Sequence, residues 1–283
     1  MIDWLIEPFT LAFMQRALLA SLLVGVVCSV LGCYVVLRSM AFLGDAMAHA
    51  ILPGVAVAYL FDANLLVGAL VAALIVAAGI GIISRGGQFK EDTAIGILFA
   101  AALSLGVVLI STIRTYATDL THIMFGNVLA VTRNDLILTA VLATAVLLTV
   151  LAMYRELLLA TFDPVLAHTI GRRPALVRNL LLVMLAVTVV ISLQTVGVGL
   201  VAALLVTPAA TAYLLTRRLP AMMGVAALIG AFSSIAGLYF SYYLNVASGA
   251  AVVLTATALF VLAFLFAPRR GIVSQRIARH RAD

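Results

Sequence analysis

The sequence predicts an all-α protein: a polytopic bundle of about nine transmembrane helices with almost no water-exposed part. Three observations carry that expectation. Apolar residues fill 65% of the 283 positions and charged residues only 10%, whereas soluble domains carry about a quarter charged residues. Long apolar runs recur along the chain and give a mean hydropathy of +1.24. The cations fall in short segments between those runs. So few charges cannot coat an aqueous surface of this size, so lipid is the expected solvent.

A helix rising 1.5 Å per residue needs about 20 mostly apolar residues to cross the hydrocarbon layer. The runs of that length are 17–37, 41–61, 65–84, 93–113, 136–154, 176–194, 198–216, 221–243 and 248–267. Gly and Ala scattered through them suit helices that approach closely in lipid. The opening stretch, 1–15, reads as an interfacial helix with Trp4 at headgroup level. The less hydrophobic stretch 119–135 reads as a short external helix or re-entrant piece. No basic region and small-residue cleavage site precede the first run, so no removable signal peptide is expected.

Basic residues set the orientation. With the N-terminus outside, the cytoplasmic side holds Arg38, Arg85, Lys90, Arg155, Arg172, Arg173, Arg178, Arg217 and Arg218, and the tail adds Arg269, Arg270, Arg276, Arg279 and Arg281. These are 14 of the 17 cations, as expected when positive charge is retained inside. The net charge of +6 is therefore a topological signal. No basic stripe interleaved with aromatics argues for nucleic acid. Cys28 and Cys33 sit in one apolar run without the spacing of a zinc or redox pair.

One carboxylate and one histidine lie well inside a predicted span, Asp45 and His49. Four residues apart on a helix, they share a face. Counted from Arg38, they sit about 10 and 16 Å along the axis, near the membrane midplane. An acidic residue there costs about 2.5–3.5 kcal/mol, which calls for a partner or a function. Carboxylate oxygen with imidazole nitrogen suits divalent Mn, Zn or Fe, although two ligands leave a tight site incomplete. A proton relay, or a hydrogen bond that only packs helices, uses the same residue types. Pro53 has no N–H to serve the carbonyl of His49, so with Gly54 it predicts a kink beside the pair. Pro208 predicts a second helix break, for gating or for packing. His122, His168 and His280 fall in expected loops and the tail and read as solvated, with His122 placed to receive metal from outside.

The longest cytoplasmic loop, 155–175, contains a short helix with a stop at each end. Asp163 suits the N-cap, Pro164 the first helical position and Gly171 the position just past the end. The helix carries Val165, Leu166 and Ile170, an apolar patch that either docks a soluble partner or lies on the membrane surface. No G-x-x-x-x-G-K-[ST] phosphate loop occurs. Energy for active transport would therefore come from a partner or an ion gradient.

Several blocks, in order, resemble one family: the membrane permease subunits of the manganese, zinc and iron class of ABC importers. They are RALLA at 16–20, GCYVVLRSMAFLGDAMAHAILPG at 32–54, EDTAIGI at 91–97, Phe125-Gly126-Asn127, Phe162-Asp163-Pro164, VAALLVTPAA at 201–210 and Ser248-Gly249-Ala250. The resemblance implies one permease domain over 1–283, with 155–175 as coupling loop and 268–283 as a basic cytoplasmic tail. It implies a fold similar to vitamin B12-type (type II) importer permeases with one N-terminal span fewer, which agrees with the external N-terminus. It further implies a homodimer in a bacterial inner membrane, cytoplasmic ABC ATPase subunits, and an external solute-binding protein. The metal is then the transported substrate, with no permanently bound cofactor and no ATPase site in this chain. Asp45 and His49 match the family's polar pair in the translocation path. Phe162, Asp163, Pro164, Leu166 and Gly171 match the coupling helix that docks in the ATPase. An ion-coupled secondary transporter and a non-transporting scaffold are the alternatives from the residues alone.

Overall fold

A computed structural model describes residues 11–84, 89–112, 131–267 and Gly271. The described residues form twelve helices and no strand. All nine predicted runs are helical. The first is α1 (Ala12–Leu37), and the second is divided into α2 (Leu43–Ala50) and α3 (Leu52–Leu60). Then come α4 (Leu65–Ile83), α5 (Glu91–Ser111) and α6 (Arg133–Ala152). Two short helices, α7 (Tyr154–Phe162) and α8 (Pro164–Thr169), fill the predicted coupling loop. The last four are α9 (Pro174–Val196), α10 (Val198–Leu215), α11 (Leu219–Leu244) and α12 (Ser248–Phe266). Eight of the nine runs are long and apolar enough to cross a membrane, and α10 is the shorter exception.

Polar residues at the ends explain where several helices start. Asn64 accepts from the Leu66 amide at 2.9 Å ahead of α4. Thr132 and Asp135 form a reciprocal capping box ahead of α6, which satisfies amide donors that a helix start leaves open. Residues 1–10 and 113–130, including Trp4, His122 and Phe125-Gly126-Asn127, lie outside the described residues, as do Arg85 and His280.

α1 runs through the middle of the bundle, packed on α10 and α11, and carries much of the core, including Val24, Leu31 and Tyr34. Ser234 on α11 donates to the Ser21 carbonyl at 3.0 Å, tying the two helices. By contrast, α5, α6 and α12 turn most of their residues outward. α3 and α4 meet at Gly54 and Gly68, where a Cβ on either would strike the other's carbonyl oxygen. Only glycine allows that crossing.

Two local expectations meet different outcomes. Near Pro53 the helix is interrupted at Ile51, which separates α2 from α3. The proline ring crowds the carbonyl four residues earlier, at His49. Pro208 gives no break, because α10 runs continuously from Val198 to Leu215. One missing N–H is tolerated where neighbouring helices hold the backbone; Pro208 itself is buried. The sharp interruption falls instead at Gly197, φ 87°, between α9 and α10.

The depth count from Arg38 is corrected. Residues 38–42 form a corner rather than helix, so α2 starts only at Leu43. Counted from there, Asp45 and His49 stand about 3 and 9 Å along the axis. The pair therefore lies closer to the start of its helix than uninterrupted counting from Arg38 gives.

Candidate functional site

Asp45 occupies the first turn of α2 and His49 the last. A carboxylate there is favoured by the positive end of the helix dipole, and an imidazole by the negative end. His49 Nδ1 lies 3.0 Å from the backbone carbonyl oxygen of Asp45 and 3.6 Å from its Oδ1. A carbonyl only accepts, so Nδ1 carries the proton and Nε2 keeps its lone pair in the neutral ring. That is the tautomer of a metal-ligating histidine whose other nitrogen is held in place. The carboxylate, beyond hydrogen-bond length, keeps its oxygens available.

The ring of His49 is positioned from a second element. Phe99, the ninth residue of α5, meets it edge-on with centroids 5.8 Å apart, and meets Phe42 edge-on at 5.3 Å. The sequence reading missed Phe99, because a phenylalanine in an apolar run carries no signal that sets it apart from lipid-facing ones. α2 also touches α10, with Gly44 against Leu205 and Ala202.

The Asp45 side chain is 43% exposed and that of His49 22%. They therefore open onto the outer surface of the single chain. Among the described residues no group of three or more His, Cys, Asp and Glu is gathered. One chain thus offers two ligands of a kind suited to a borderline divalent cation, with an incomplete shell.

The short helix α8 is built as its sequence predicts. The Asp163 carboxylate accepts from the Leu166 amide at 2.8 Å, and Pro164 opens α8. At the far end Gly171 takes φ 76°. Its N–H donates to His168 O and that of Arg172 to Ala167 O, a Schellman stop that needs a left-handed residue. Glu156 and Arg172, 3.1 Å apart, hold α7 to the chain leaving α8. Ala167 is buried, whereas Phe162, Val165, Leu166 and Ile170 project outward, Val165 with 72% of its surface exposed. The structure brings the predicted coupling residues together on one knob, away from Asp45 and His49. Pro208 sits on α10, apart from that knob.

The sequence pattern of the ABC 3 transport family matches residues 10–267. The chain belongs to that family. It is 50% identical over 264 residues to the manganese transport system membrane protein MntC of Halalkalibacterium halodurans, covering 93% of this chain and 90% of that one. It is 39% identical over 270 residues to a Haemophilus influenzae protein named for iron transport, covering 95% and 99%. The solved PsaBC from Streptococcus pneumoniae, in complex with Fab, superposes with a TM-score of 0.84 at 38% identity, covering 98% and 100%. The helical bundle is thus an ABC-family membrane chain, embedded by its apolar spans.

Behind the knob, the end of α1 meets α5, α7, α8 and α9 around a cavity of about 450 Å³, lined among others by Arg38, Glu91, Ala160, Pro164 and Arg178. Arg178 on α9 lies 3.5 Å from Glu91 and donates to Gly81 O at 2.9 Å and Ser84 O at 3.4 Å. Arg38, at the end of α1, donates to Ala160 O at 3.2 Å. Burial lowers the pKa of Arg38, Glu91 opposes that shift, and Arg178 adds to it. The sequence reading treated all these cations as topology markers only.

Proposed function

We propose that this chain is the translocation subunit of an ATP-driven importer for a divalent transition metal, manganese foremost, with Zn or Fe as related cargo. The observation that carries the reading is the half-exposed Asp45 carboxylate beside His49, whose Nδ1 is held by a backbone carbonyl, on the outside of a lipid-embedded bundle. Facing lipid, such a carboxylate is costly. Facing a second copy, it completes a site of two carboxylates and two imidazole Nε2 atoms around a central passage. The names of the relatives support manganese as cargo.

In this reading residues 1–283 form one permease domain of a homodimer with the type II importer architecture. An external solute-binding protein delivers the metal to the bacterial inner membrane, where the N-terminus lies outside and the C-terminus in the cytoplasm. ABC ATPase subunits take the exposed knob around α8, because the apolar side chains of Phe162, Val165 and Leu166 need a protein cover. This chain contributes no nucleotide site. Pro53 shapes the path by bending the span beyond His49, and Pro208 stiffens α10 against α2.

Radioactive manganese uptake tests the site in cells expressing the full transporter. Asp45→Ala and His49→Ala abolish uptake while the assembled complex stays in the membrane. Normal uptake by both variants rejects the site.

A further inference from the structure

We propose that Arg38 is a positioning residue that carries motion of the ATPase-docking knob to the helix bearing Asp45 and His49. The inference rests on the function proposed above, and it concerns the link between two sites that share no residue.

The covalent route is short at both ends of the Arg38 contact. Its Nη2 donates to the carbonyl of Ala160 at 3.2 Å, 122 positions away in sequence. Ala160 is buried in the last turn of α7, and Asp163, three residues on, caps α8. On the other side, Arg38 ends α1 and leads through the 39–42 corner into α2, whose first turn holds Asp45.

The corner itself is stiff. Ser39 takes φ 57°, its N–H donates to Val36 O, and that of Met40 to Val35 O. This is the same Schellman stop that ends α8, here made with a serine in the left-handed region. Met40 and Leu43 are fully buried. A pull on the Arg38 guanidinium is therefore passed to the start of α2 rather than absorbed in a loose loop.

The two arginines of the cavity are anchored unequally. Arg178 binds a carboxylate and two carbonyls, all at the cytoplasmic ends of α4 and α5. Arg38 makes one hydrogen bond to the moving part, and its Nη1 is buried without a protein partner. Arg178 thus fixes a frame, while the contact of Arg38 is the one that a shift of α7 and α8 makes or breaks. Glu91 stands in the same cavity, an acceptor for the guanidinium once it leaves Ala160. Two discrete partners give the two-state element that coupling between distant sites requires.

The test uses the permease with its ATPase and binding protein, reconstituted in proteoliposomes, reading manganese delivered per ATP hydrolysed. Arg38→Gln assembles and hydrolyses ATP, but its transport ratio falls roughly tenfold, a typical coupling strength. Arg38→Lys, which keeps a donor and the charge, recovers part of the ratio. A parallel fall of hydrolysis and transport, or an unchanged ratio, overturns the proposal. If Arg38→Gln does not assemble, Arg38→Lys decides: a ratio below wild type supports the link and a wild-type ratio ends it. Asp45→Ala in the same vesicles separates the two readings. If it transports normally, the metal-site reading fails; if it is inactive while Arg38→Gln is fully coupled, only the link fails.

Discussion

Among the described residues, the clusters around Arg38 and around Asp45 are built in opposite ways. Around Arg38, Glu91 and Arg178, charges from remote segments turn inward, and the Arg178 side chain is only 13% exposed. Its partners are a carboxylate and backbone carbonyls of the same chain, so that cluster is largely closed. Asp45 and His49 come from a single helix, hydrogen-bond only within it, and open outward. A cluster turned inward is held among the helices of its own chain, whereas one that leaves lone pairs facing out is open to something from outside the chain.

That contrast can be broken or sharpened by substitution. The largest effect belongs to the open pair. Asp45→Asn, which keeps shape and removes charge, lowers manganese uptake by roughly two orders of magnitude, yet leaves the detergent melting temperature close to wild type. A melting temperature several degrees lower would make the pair structural and erase the difference. The closed cluster behaves the other way. Arg178→Ala strands Glu91 and two carbonyls, costing about 2 kcal/mol of stability, read as a lower melting temperature of the purified chain. Stability unchanged in that variant would show that water replaces the guanidinium at no cost.

Smaller effects fall on the stops that frame the two clusters. Asp163→Ala removes the α8 cap and costs about 1 kcal/mol locally. Faster proteolysis of the 155–175 loop and weaker ATPase association are the expected readouts. Ser39→Gly relieves a left-handed serine and stabilises the corner by less than about 1 kcal/mol. A small rise in melting temperature checks it, and a fall would show that the serine side chain, not its backbone, holds the corner.

The parts of the structure legible in advance share a range of interaction. Helical runs, the cap at Asp163, the stop at Gly171 and the break near Pro53 depend on residues within a turn or two of each other. Hydropathy and spacing therefore sufficed, and the facing of Asp45 with His49 followed from helical period alone. Local rules also misled at two points. The corner at 38–42 is not helical, so counting a continuous helix from Arg38 overstates how far along its own helix the pair sits. Pro208 obeys the rule of the lost hydrogen bond, but packing by neighbouring helices keeps α10 intact.

The sequence by itself determined that this is a lipid-embedded helical bundle and that a carboxylate within a predicted span stands one helical turn from a histidine. Composition and near-neighbour geometry decide both. Only the tertiary structure decided that the pair faces outward, that Phe99 braces the imidazole, and that Arg38 reaches Ala160 while Arg178 holds Glu91. Those contacts join segments far apart in the chain, and which ones meet is set by how all the helices pack together, which no local pattern encodes.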